Sequence, residues 1–374
     1  MLENKFMRFA IELAKLGEGW VSPNPMVGAV VVKNGKVISE GYHARCGEWH
    51  AERNALASCT ESPEGATMYV TMEPCCHCGK TPPCTEIILE KKISRVVIGS
   101  RDPNPKVSGK GVQILRDCGI EVVENFMREE CDNINPIFFH YITTNLPYVA
   151  IKYAMTLDGK IATHTGEAKW ITGLAARNHV HQLRSKYSAI MVGIGTVQAD
   201  DPMLTCRMEG GRNPLRIICD TQLRIPTGSQ LCRTAQEIPT IVACGKLDND
   251  LDRKRILLER LGLNILELPG EDGRVDLKKL LRFLGRNGID SLLIEGGGNL
   301  NYSALECGIV QHVYTYIAPK LFGGSDARSP VEGPGVCLPE EAAVLKNLHI
   351  THLGDDILLE YEMSGGIHCV HRHY

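Results

Sequence analysis

The sequence predicts two successive α/β domains. The chain has 374 residues, which is long for one ordinary domain and typical of two. Each half alternates short apolar runs, which predict strands, with segments whose apolar residues recur at helical spacing. Between the halves, Pro147 ends a predicted helix and a new apolar strand begins at Tyr148. We therefore expect an N-terminal domain over residues 1–145 and a C-terminal domain over residues 146–374.

The first half begins with a helix, followed by a hairpin. The rigid loop Ser22-Pro23-Asn24-Pro25 separates them, because each proline fixes φ and disfavours helix in the residue before it. Asn34-Gly35 predicts the tight turn of the hairpin. Strands then alternate with helices, which predicts a three-layer α/β domain. The predicted helices are 4–16, 50–59, 86–92, 112–117 and 127–140, and the predicted strands are 27–33, 36–42, 66–72, 95–99 and 121–123.

The second half repeats the alternation and predicts a second α/β domain. Two glycine turns follow strands, at 193–196 and 295–300, and the second opens a helix. Glycines let a phosphate approach the backbone, and a helix N-terminus offers free N–H groups to it. The first turn is not G-x-G-x-x-G, since Gln198 takes the last position, so the common dinucleotide fingerprint is absent. The predicted strands are 148–154, 189–192, 215–219, 240–243, 264–268, 291–294 and 313–317, and the predicted helices are 174–186, 252–261, 276–287 and 299–307.

Composition excludes several classes of protein. Hydrophobic residues make up 43% and charged residues 23%, as in soluble globular proteins, and the formal net charge of -3 gives no basic footprint for nucleic acid. No apolar run is long enough to span a membrane, and residues 1–9 lack the apolar core of a signal peptide. Fifteen cysteines without an export signal fit reduced thiols and a metal site better than disulfides. We therefore expect a cytoplasmic protein with no nucleic-acid or membrane partner.

Two polar clusters in the first half predict a catalytic zinc site. The first is His50-Ala51-Glu52 at the head of a helix, and the second runs from Glu73 to Cys84. Together they match the zinc-deaminase pattern of H-x-E followed by P-C and a further cysteine. Catalytic zinc takes three protein ligands and leaves one position for a water whose pKa falls towards neutral. His50 is thus a predicted ligand, and Glu52 the predicted proton carrier in hydrolysis of an exocyclic amine.

The identity of the third ligand is left open by the spacing. Cys75 and Cys78 satisfy the short deaminase spacing, whereas Cys84 follows Pro82-Pro83, which predicts a helix start. A helix N-terminus favours a thiolate, so we favour Cys84 and keep Cys78 as the alternative. A structural zinc with four ligands is a further alternative, but it leaves Glu52 without a role. Its ligands would be His50, Cys75, Cys78 and Cys84.

These motifs resemble those of the bifunctional riboflavin-biosynthesis deaminase-reductase family, over nearly the whole chain. The matching segments in the first half are Ser22-Pro23-Asn24-Pro25-x-Val27-Gly28, His50-Ala51-Glu52, and Glu73-Pro74-Cys75 through Gly79-x-Thr81-Pro82-Pro83-Cys84. The part Gly79-x-Thr81-Pro82-Pro83-Cys84 is the specific one, because a generic cytidine deaminase lacks it. The resemblance implies a cytidine-deaminase-like fold with His50, Cys75 and Cys84 on the zinc and Glu52 as proton shuttle. Cys78 departs from the family, which often has histidine there.

The resemblance also implies a substrate, a diaminopyrimidinone that carries a ribosylamino 5'-phosphate. Asn24 is then expected to hydrogen-bond the pyrimidine, and His43 and Lys80 to meet the phosphate. The alternatives are that Asn24 is only a turn residue between prolines and that Lys80 is only a solvated surface charge.

The second half resembles the reductase domain of the same family, which is similar in fold to dihydrofolate reductase and uses NADPH. The matching segments are Lys152-x-Ala154-x-Thr156-Leu157-Asp158-Gly159-Lys160, Trp170-Ile171-Thr172, Gly193-x-Gly195-Thr196 and Asp200-Asp201-Pro202-x-Leu204-Thr205. The implied reaction is hydride transfer to C1' of the ribose, which opens the sugar to a ribityl chain. Ala168 stands where relatives often carry a polar residue, so one substrate hydrogen bond is missing or supplied elsewhere.

The resemblance assigns residues to the cofactor and to the substrate of this second reaction. Those expected at NADPH are Ala154, Trp170, Thr196, Asp200, Gly297, Gly298, Asn299 and Leu300. Thr221, which follows the strand ending at Asp220, is a further candidate, for the 2'-phosphate of the cofactor. Those expected at the substrate are Arg184, Leu204, Arg207 and Glu295. An arginine fork suits phosphate, although Arg184 and Arg207 also fit as surface charges. Lys152 and Asp200 are the candidates for proton transfer beside the hydride step, with an edge-strand lysine as the alternative for Lys152.

Two other functions fit the sequence less well. A nucleic-acid-editing deaminase would need a basic surface with interleaved aromatic residues, which the chain lacks. A zinc-stabilised interaction protein would have no use for Glu52. The tail from His368 to His373 resembles a metal-binding tract, but a frayed terminus is more common. We expect a homo-oligomer.

Overall fold

The computed structural model describes residues 2–77, 81–104 and 108–365, and the histidine-rich tail lies outside this part of the chain. The chain divides into two units, Met1–Asn145 and Leu146–Tyr374. They are called unit 1 and unit 2 below.

Unit 1 is a mixed sheet with helices on both faces. Its helices are α1 Leu2–Lys15, α2 Ala51–Ala57, α3 Cys84–Glu90, α4 Lys110–Asp117, α5 Arg128–Asn133 and α6 Pro136–Thr144, and its strands are β1 Gly28–Lys33, β2 Lys36–Tyr42, β3 Thr67–Met72, β4 Arg95–Ser100 and β5 Glu121–Val123. The strand order is β2-β1-β3-β4-β5, antiparallel around β1 and parallel from β3 to β5. Apolar residues of α1 and α5 pack on one face, and those of α2, α3, α4 and α6 on the other. The predicted three-layer α/β domain is confirmed.

A single predicted helix over 127–140 is wrong, because the structure has α5 and α6 instead. Pro136 lacks an N–H group and therefore fits the first position of α6 rather than the middle of a longer helix. The side chain of Asn135, just before it, binds the backbone of Met26 twice. Its Oδ1 accepts the Met26 N–H at 2.8 Å, and its Nδ2 donates to the Met26 carbonyl at 2.8 Å. The proline loop at 22–25 is thereby tied to α6.

Close packing also fixes the start of α2. A Cβ added to Gly41 on β2 would lie 2.3 Å from the backbone nitrogen of Ala55 and 2.7 Å from the carbonyl oxygen of Ala51. A side chain at this position would therefore push α2 away from the sheet. The close approach of α2 to β2 therefore sets the distance of His50 and Glu52 from the sheet.

Unit 2 is built on a larger sheet. Its strands are β6 Tyr148–Thr156, β7 Ala189–Gly193, β8 Leu215–Cys219, β9 Thr240–Cys244, β10 Asn264–Glu267, β11 Ser291–Ile294, β12 His312–Ala318, β13 Leu345–Leu353 and β14 Asp356–Met363. Its helices are α7 Leu174–Lys186, α8 Ile194–Asp200, α9 Gln230–Arg233, α10 Asn249–Arg260, α11 Leu277–Arg286 and α12 Gly298–Glu306, with a 3₁₀ turn at Pro339–Glu341. The strand order is β10-β9-β8-β7-β11-β6-β12-β14-β13. Pairing is parallel from β10 to β12 and antiparallel from β12 to β13.

The second predicted α/β domain is also confirmed, with three differences. The short helix α9 was not predicted. The glycine turn after β7 leads directly into α8, which the sequence analysis had not predicted. The hairpin of β13 and β14 was missed as well. Most of β13 is exposed on both faces, so its sequence lacks the period-2 alternation by which a half-buried strand is recognised.

Candidate active sites

His50, Cys75 and Cys84 converge on one point in unit 1. Nδ1 of His50 lies 3.5 Å from Sγ of Cys75 and 3.4 Å from Sγ of Cys84. The three donor atoms all fall within 4.8 Å of one another. A nitrogen and a sulfur on one tetrahedral zinc lie roughly 3.5 Å apart at normal bond lengths. The donor set and its spacing therefore fit one zinc ion with three protein ligands. Cys78, the alternative ligand, lies outside the described residues.

The ends of secondary-structure elements present these three side chains. His50 caps the N-terminus of α2, Cys75 follows β3, and Cys84 is the first residue of α3. The Cys84 N–H group faces both the carbonyl oxygen of Cys75 at 3.0 Å and its Sγ at 3.3 Å. The neighbouring Cys84 thiol, as a hydrogen-bond donor, lowers the pKa of Cys75 well below the usual thiol value, and His50 adds to the effect. A thiol that ionises readily suits a metal ligand.

Two further residues hold this arrangement, and the sequence analysis gave neither a role. Thr81 Oγ1 lies 3.4 Å from Nε2 of His50. Its oxygen can therefore accept a hydrogen bond from the Nε2–H group while Nδ1 faces the thiols. Arg53 donates to the carbonyl oxygens of Pro82 and Pro83 at 3.3 and 3.1 Å, which fixes the turn before α3. In the sequence, Thr81 lies inside the second polar cluster and Arg53 directly follows the first, and no other feature marks them.

Glu52 lies beside the donor set but is not part of it. It is the second residue of α2 and is 3% exposed. Burial raises the pKa of Glu52 to about 7, and the neighbouring Cys75 adds to the effect. A carboxyl group that titrates near neutrality can both accept and release a proton under working conditions.

A cavity of about 350 Å³ opens onto this site. Its lining includes His50, Cys75 and Glu52 together with Asn24, His43 and Asp102. Burial raises the pKa of Asp102 to about 6, and its carboxylate accepts the Asn104 N–H at 2.8 Å. Asp102 was missed as a site residue. It follows β4 just as the metal-binding segment follows β3, and the carboxyl ends of parallel strands meet at one edge of a sheet.

Asn24 and His43 are in direct contact in this cavity. Nδ2 of Asn24 lies 3.2 Å from Nε2 of His43, and Nδ1 of His43 lies 3.1 Å from the carbonyl oxygen of Trp49. The assignment of Asn24 to the pyrimidine and of His43 to the phosphate stays a prediction. Lys80, the other predicted phosphate contact, lies outside the described residues.

Lys152, Arg184 and Glu295 form a charged cluster in unit 2. Arg184 donates from Nε to Oε1 of Glu295 at 2.8 Å and from Nη2 to Oε2 at 2.9 Å. Nζ of Lys152 lies 3.6 Å from Oε2 of Glu295. All three side chains are largely buried: Lys152 is 14% exposed, Arg184 15% and Glu295 8%. Charges buried to this degree are stable only as partners of one another.

The sheet order explains why these residues meet. Lys152 is on β6, and Glu295 directly follows β11, which pairs in parallel with β6. Burial by itself would raise the pKa of Glu295, but the charges of Arg184 and Lys152 outweigh it and lower the pKa to about 2. Burial lowers the pKa of Lys152, partly offset by Glu295. The cluster therefore holds a firmly ionised carboxylate next to an amine that gives up its proton more easily than usual.

Tyr316 and His179 extend this cluster, and the sequence analysis missed both. Nζ of Lys152 lies 5.6 Å from the centre of the Tyr316 ring, and the Tyr316 hydroxyl lies 2.6 Å from Nδ1 of His179. The residues come from β12, next to β6, and from α7. A tyrosine in a buried parallel strand predicts only core packing, so this contact has no signature in the sequence.

Two of the predicted cofactor residues lie side by side. A Cβ added to Gly297 would lie 3.8 Å from Oγ1 of Thr196. Gly193 caps α8 and Gly297 caps α12, and the strands before these helices, β7 and β11, are parallel neighbours. Two glycine-bearing helix starts thus open at the same sheet edge, which fits the phosphates of a dinucleotide such as NADPH.

Other predicted cofactor residues have protein contacts of their own. Trp170 is exposed and stacks on the Arg177 guanidinium, 4.6 Å from the ring centre. Nζ of Lys169, the residue before Trp170, lies 3.5 Å from the backbone carbonyl oxygen of Asp200. Asn299 donates to Oε2 of Glu332 at 2.9 Å. Their assignment to NADPH stays a prediction, as does that of Ala154, Thr221, Gly298 and Leu300.

Two predicted substrate residues, Leu204 and Arg207, follow α8. Leu204 is buried and has a φ of 53°, a conformation that is rare for a side chain of this kind. The backbone N–H and Nε of Arg207 lie 3.3 Å from Nδ1 and Nε2 of His181, respectively. His181, on α7, was missed by the sequence analysis.

Family models match both halves of the chain. Residues 2–100 match the cytidine and deoxycytidylate deaminase zinc-binding region, and residues 147–359 match the RibD C-terminal domain. The second match alone covers more than half of the chain. The predicted zinc-dependent deaminase fold and the predicted reductase fold are confirmed.

Relatives of known name are similar over nearly the full length. A riboflavin biosynthesis protein RibD from Actinobacillus pleuropneumoniae is 54% identical over 96% of this chain and 95% of its own length. One from Bacillus amyloliquefaciens is 42% identical, with 96% and 95% covered.

Solved structures agree with these relatives. A RibD structure from Acinetobacter baumannii superposes with a TM-score of 0.86 at 36% identity and covers 97% of this chain and 99% of its own. A Thermotoga maritima diaminohydroxyphosphoribosylaminopyrimidine deaminase/5-amino-6-(5-phosphoribosylamino)uracil reductase gives a TM-score of 0.82 at 38% identity, with 97% and 99% covered. Within the described part of the chain, every helix is too short or too polar to cross a membrane. By sequence, by domain content and by fold, the chain belongs to the RibD family of riboflavin biosynthesis proteins.

Proposed function

We propose that this chain catalyses two consecutive steps of riboflavin biosynthesis. The first is hydrolytic deamination of a diaminopyrimidinone that carries a ribosylamino 5'-phosphate. The second is NADPH-dependent reduction of the ribosyl side chain to a ribityl chain. The observation that carries the proposal is the presence, in one chain, of a His-Cys-Cys donor set beside a buried glutamate and of a buried Lys-Arg-Glu cluster. The Thermotoga maritima relative has both activities in its name.

In unit 1, His50, Cys75 and Cys84 would hold the zinc ion. When bound, zinc acidifies a water molecule so that hydroxide is available near neutral pH. Glu52 stands outside the donor set with a pKa raised by burial to about 7. Its carboxylate can therefore take up a proton and pass it to the departing amine. Asn24 is proposed to hydrogen-bond the pyrimidine, and Lys80 to meet the phosphate.

In unit 2, the proposed roles follow from the charged cluster. NADPH supplies the hydride when bound. Arg184 keeps Glu295 ionised and oriented, and Lys152 is poised to give a proton to the sugar oxygen as the ring opens, because burial lowers its pKa. Asp200 is the second candidate for this proton. Arg207 is proposed to meet the substrate phosphate and Leu204 to line the substrate site.

The test is one assay with two readouts. Purified protein is mixed with the diaminopyrimidinone phosphate, and ammonia release is followed first and loss of NADPH absorbance second. Glu52→Gln should abolish ammonia release but keep NADPH consumption on the deaminated product. Lys152→Met should do the reverse. Wild-type protein that releases no ammonia, or two variants with the same defect, would contradict the proposal.

We also propose that the protein works on small molecules in the cytoplasm as a homo-oligomer. The cysteines in the described ranges are free thiols, which agrees with a reducing compartment. The edge strand β13 exposes three large apolar side chains, Leu345, Leu348 and Ile350. An exposed apolar sheet edge of this kind supports pairing with another chain.

A further inference from the structure

His43 is a buried imidazole whose two ring nitrogens both face protein partners. The residue is 1% exposed. Its Nδ1 lies 3.1 Å from the carbonyl oxygen of Trp49, and its Nε2 lies 3.2 Å from the side-chain nitrogen of Asn24. His43 and Asn24 line the same cavity as Glu52. The cavity wall therefore contains a three-membered chain of hydrogen-bonding groups.

These contacts allow one arrangement of protons. A backbone carbonyl can only accept, so Nδ1 of His43 must carry the ring proton. Nε2 faces the amide nitrogen of Asn24, which can only donate, so Nε2 must keep its lone pair and the imidazole is neutral. Nε2 then accepts an N–H from the amide of Asn24. The flipped amide would set two acceptors, Asn24 Oδ1 and His43 Nε2, against each other.

The amide of Asn24 is thereby oriented, with its nitrogen on His43 and Oδ1 left to the cavity. The backbone around it is fixed too. The Asn24 N–H donates to the carbonyl of Val21 at 2.8 Å, and Asn135 binds the backbone of Met26 at 2.8 Å on both sides. An amide oxygen accepts from N–H groups and repels carbonyl oxygens. The site therefore presents an acceptor for an amino group or a ring N–H.

We propose that His43 is a positioning residue of the deamination site, which fixes the Asn24 amide so that Oδ1 accepts a hydrogen bond from an N–H group of the aminopyrimidine. The inference rests on the deaminase function proposed above and deepens it. It also gives His43 a different role from the phosphate contact that the resemblance implies. The value of such a residue is preorganisation: the amide does not have to turn when the substrate arrives.

The tautomer of His43 is the first test, and it needs no substrate. Long-range ¹H–¹⁵N spectra of the full-length ¹⁵N-labelled protein separate the two tautomers and the imidazolium. The His43 signals are identified by their loss in His43→Gln. We expect the Nδ1–H tautomer at neutral pH. An Nε2–H tautomer or an imidazolium would overturn the inference even if ammonia release is normal.

A matched pair of variants is the second test. In His43→Gln the amide oxygen can occupy the place of Nε2 and accept from Asn24, whereas His43→Asn reaches only the place of Nδ1. We expect His43→Asn to raise the KM of deamination roughly tenfold, the effect of one lost hydrogen bond, with little change in kcat. His43→Gln should recover most of this loss. Equal defects in both variants would overturn the inference.

Two further experiments distinguish a positioning role of His43 from a role in phosphate binding. In an Asn24→Ala background, His43→Asn should have little further effect, because the two residues act as one unit. With a substrate that lacks the phosphate, His43→Asn should raise KM by the same factor as with the phosphorylated one. A defect that disappears without the phosphate would overturn positioning in favour of phosphate binding. Zinc content is measured for each variant, and if His43→Asn fails to fold, the wild-type tautomer still decides.

Discussion

Arg184 holds Glu295 through two parallel hydrogen bonds, from Nε to Oε1 at 2.8 Å and from Nη2 to Oε2 at 2.9 Å. The planar guanidinium matches the carboxylate at both oxygens, which an ammonium group cannot do. Arg184 also donates from Nη1 to the carbonyl oxygen of Thr205 at 3.1 Å. One side chain thus orients both the central carboxylate and the backbone next to Leu204.

Replacing Arg184 by lysine should impair the reduction selectively. A lysine cannot keep both bonds, and a broken buried pair typically costs about 3–5 kcal/mol. We expect kcat/KM for the deaminated product to fall roughly a hundredfold or more, while ammonia release stays near wild type. NADPH absorbance and ammonia release, measured on the same preparation, check both halves. Arg282→Lys, at an exposed position on α11, is the control. Full NADPH consumption in folded Arg184→Lys would contradict the role given to this pair.

The identity of the third zinc ligand can be settled with two serine variants. Cys84→Ser should bind zinc at least a hundredfold more weakly, because the donor set loses one of its two sulfurs. Cys78→Ser should keep one zinc per chain and full ammonia release. Metal content is measured after dialysis against a weak chelator, and thermal unfolding shows whether the fold survives. If Cys78→Ser loses the zinc and Cys84→Ser keeps it, the third ligand is Cys78 and not Cys84.

Removal of the metal should separate the two activities. Chelation of wild-type protein should abolish ammonia release and leave NADPH consumption intact, since Lys152, Arg184 and Glu295 contain none of the donor atoms. Re-addition of zinc should restore the first activity.

His181 predicts a pH dependence for the reduction. Burial lowers the pKa of His181, and Arg184 and Arg207 lower it further. The ring is therefore neutral at pH 7 and takes up a proton only as the pH falls below the ordinary histidine value of about 6.5. A neutral imidazole has one acceptor nitrogen for Arg207, and the imidazolium has none. We expect the KM of the reduction to be flat above neutral pH and to rise as the solution becomes more acidic.

The matched variant for this test is His181→Gln, whose amide oxygen accepts a hydrogen bond at any pH. The substrate phosphate titrates near pH 6 in both proteins, so the comparison isolates the imidazole. The rise in KM at acid pH should be smaller in His181→Gln than in wild type. Identical profiles would show that His181 does not support Arg207.

The parts of this molecule that could be predicted from the sequence are those in which local chemistry decides the outcome. Zinc accepts few ligand types, so the sequence already limited the donor set to His50, Cys75 and either Cys84 or Cys78. The contact between Lys152 and Glu295 depends instead on β11 lying next to β6, and strand order is a tertiary property that periodicity does not encode.

Other misses have equally specific causes. The break between α5 and α6 follows from Pro136. It was missed because the apolar pattern on both sides of Pro136 predicts one continuous helix. Strand β13 has no buried face and hence no alternation to detect. The contact between Asn24 and His43 joins residues on two loops, so only the folded chain shows that they form one unit.

The exposed edge strand β13 predicts the oligomeric state. Leu345, Leu348 and Ile350 are 38%, 49% and 52% exposed, and the strand forms one edge of the sheet of unit 2 in the described chain. Free edges with apolar side chains are normally covered, because they would otherwise pair with other chains. We expect light scattering to give a multiple of the 41.2 kDa chain mass.

A charged residue in this strand should dissociate the assembly. Leu348→Lys places a charge where the apolar edge would be buried, and we expect a monomer at micromolar concentration. Val37→Lys is the matched control, because Val37 is 41% exposed on β2, an edge strand of unit 1. It should leave the mass unchanged. A wild-type monomer at all concentrations would contradict the homo-oligomer, and a Leu348→Lys protein of wild-type mass would show that assembly uses another surface.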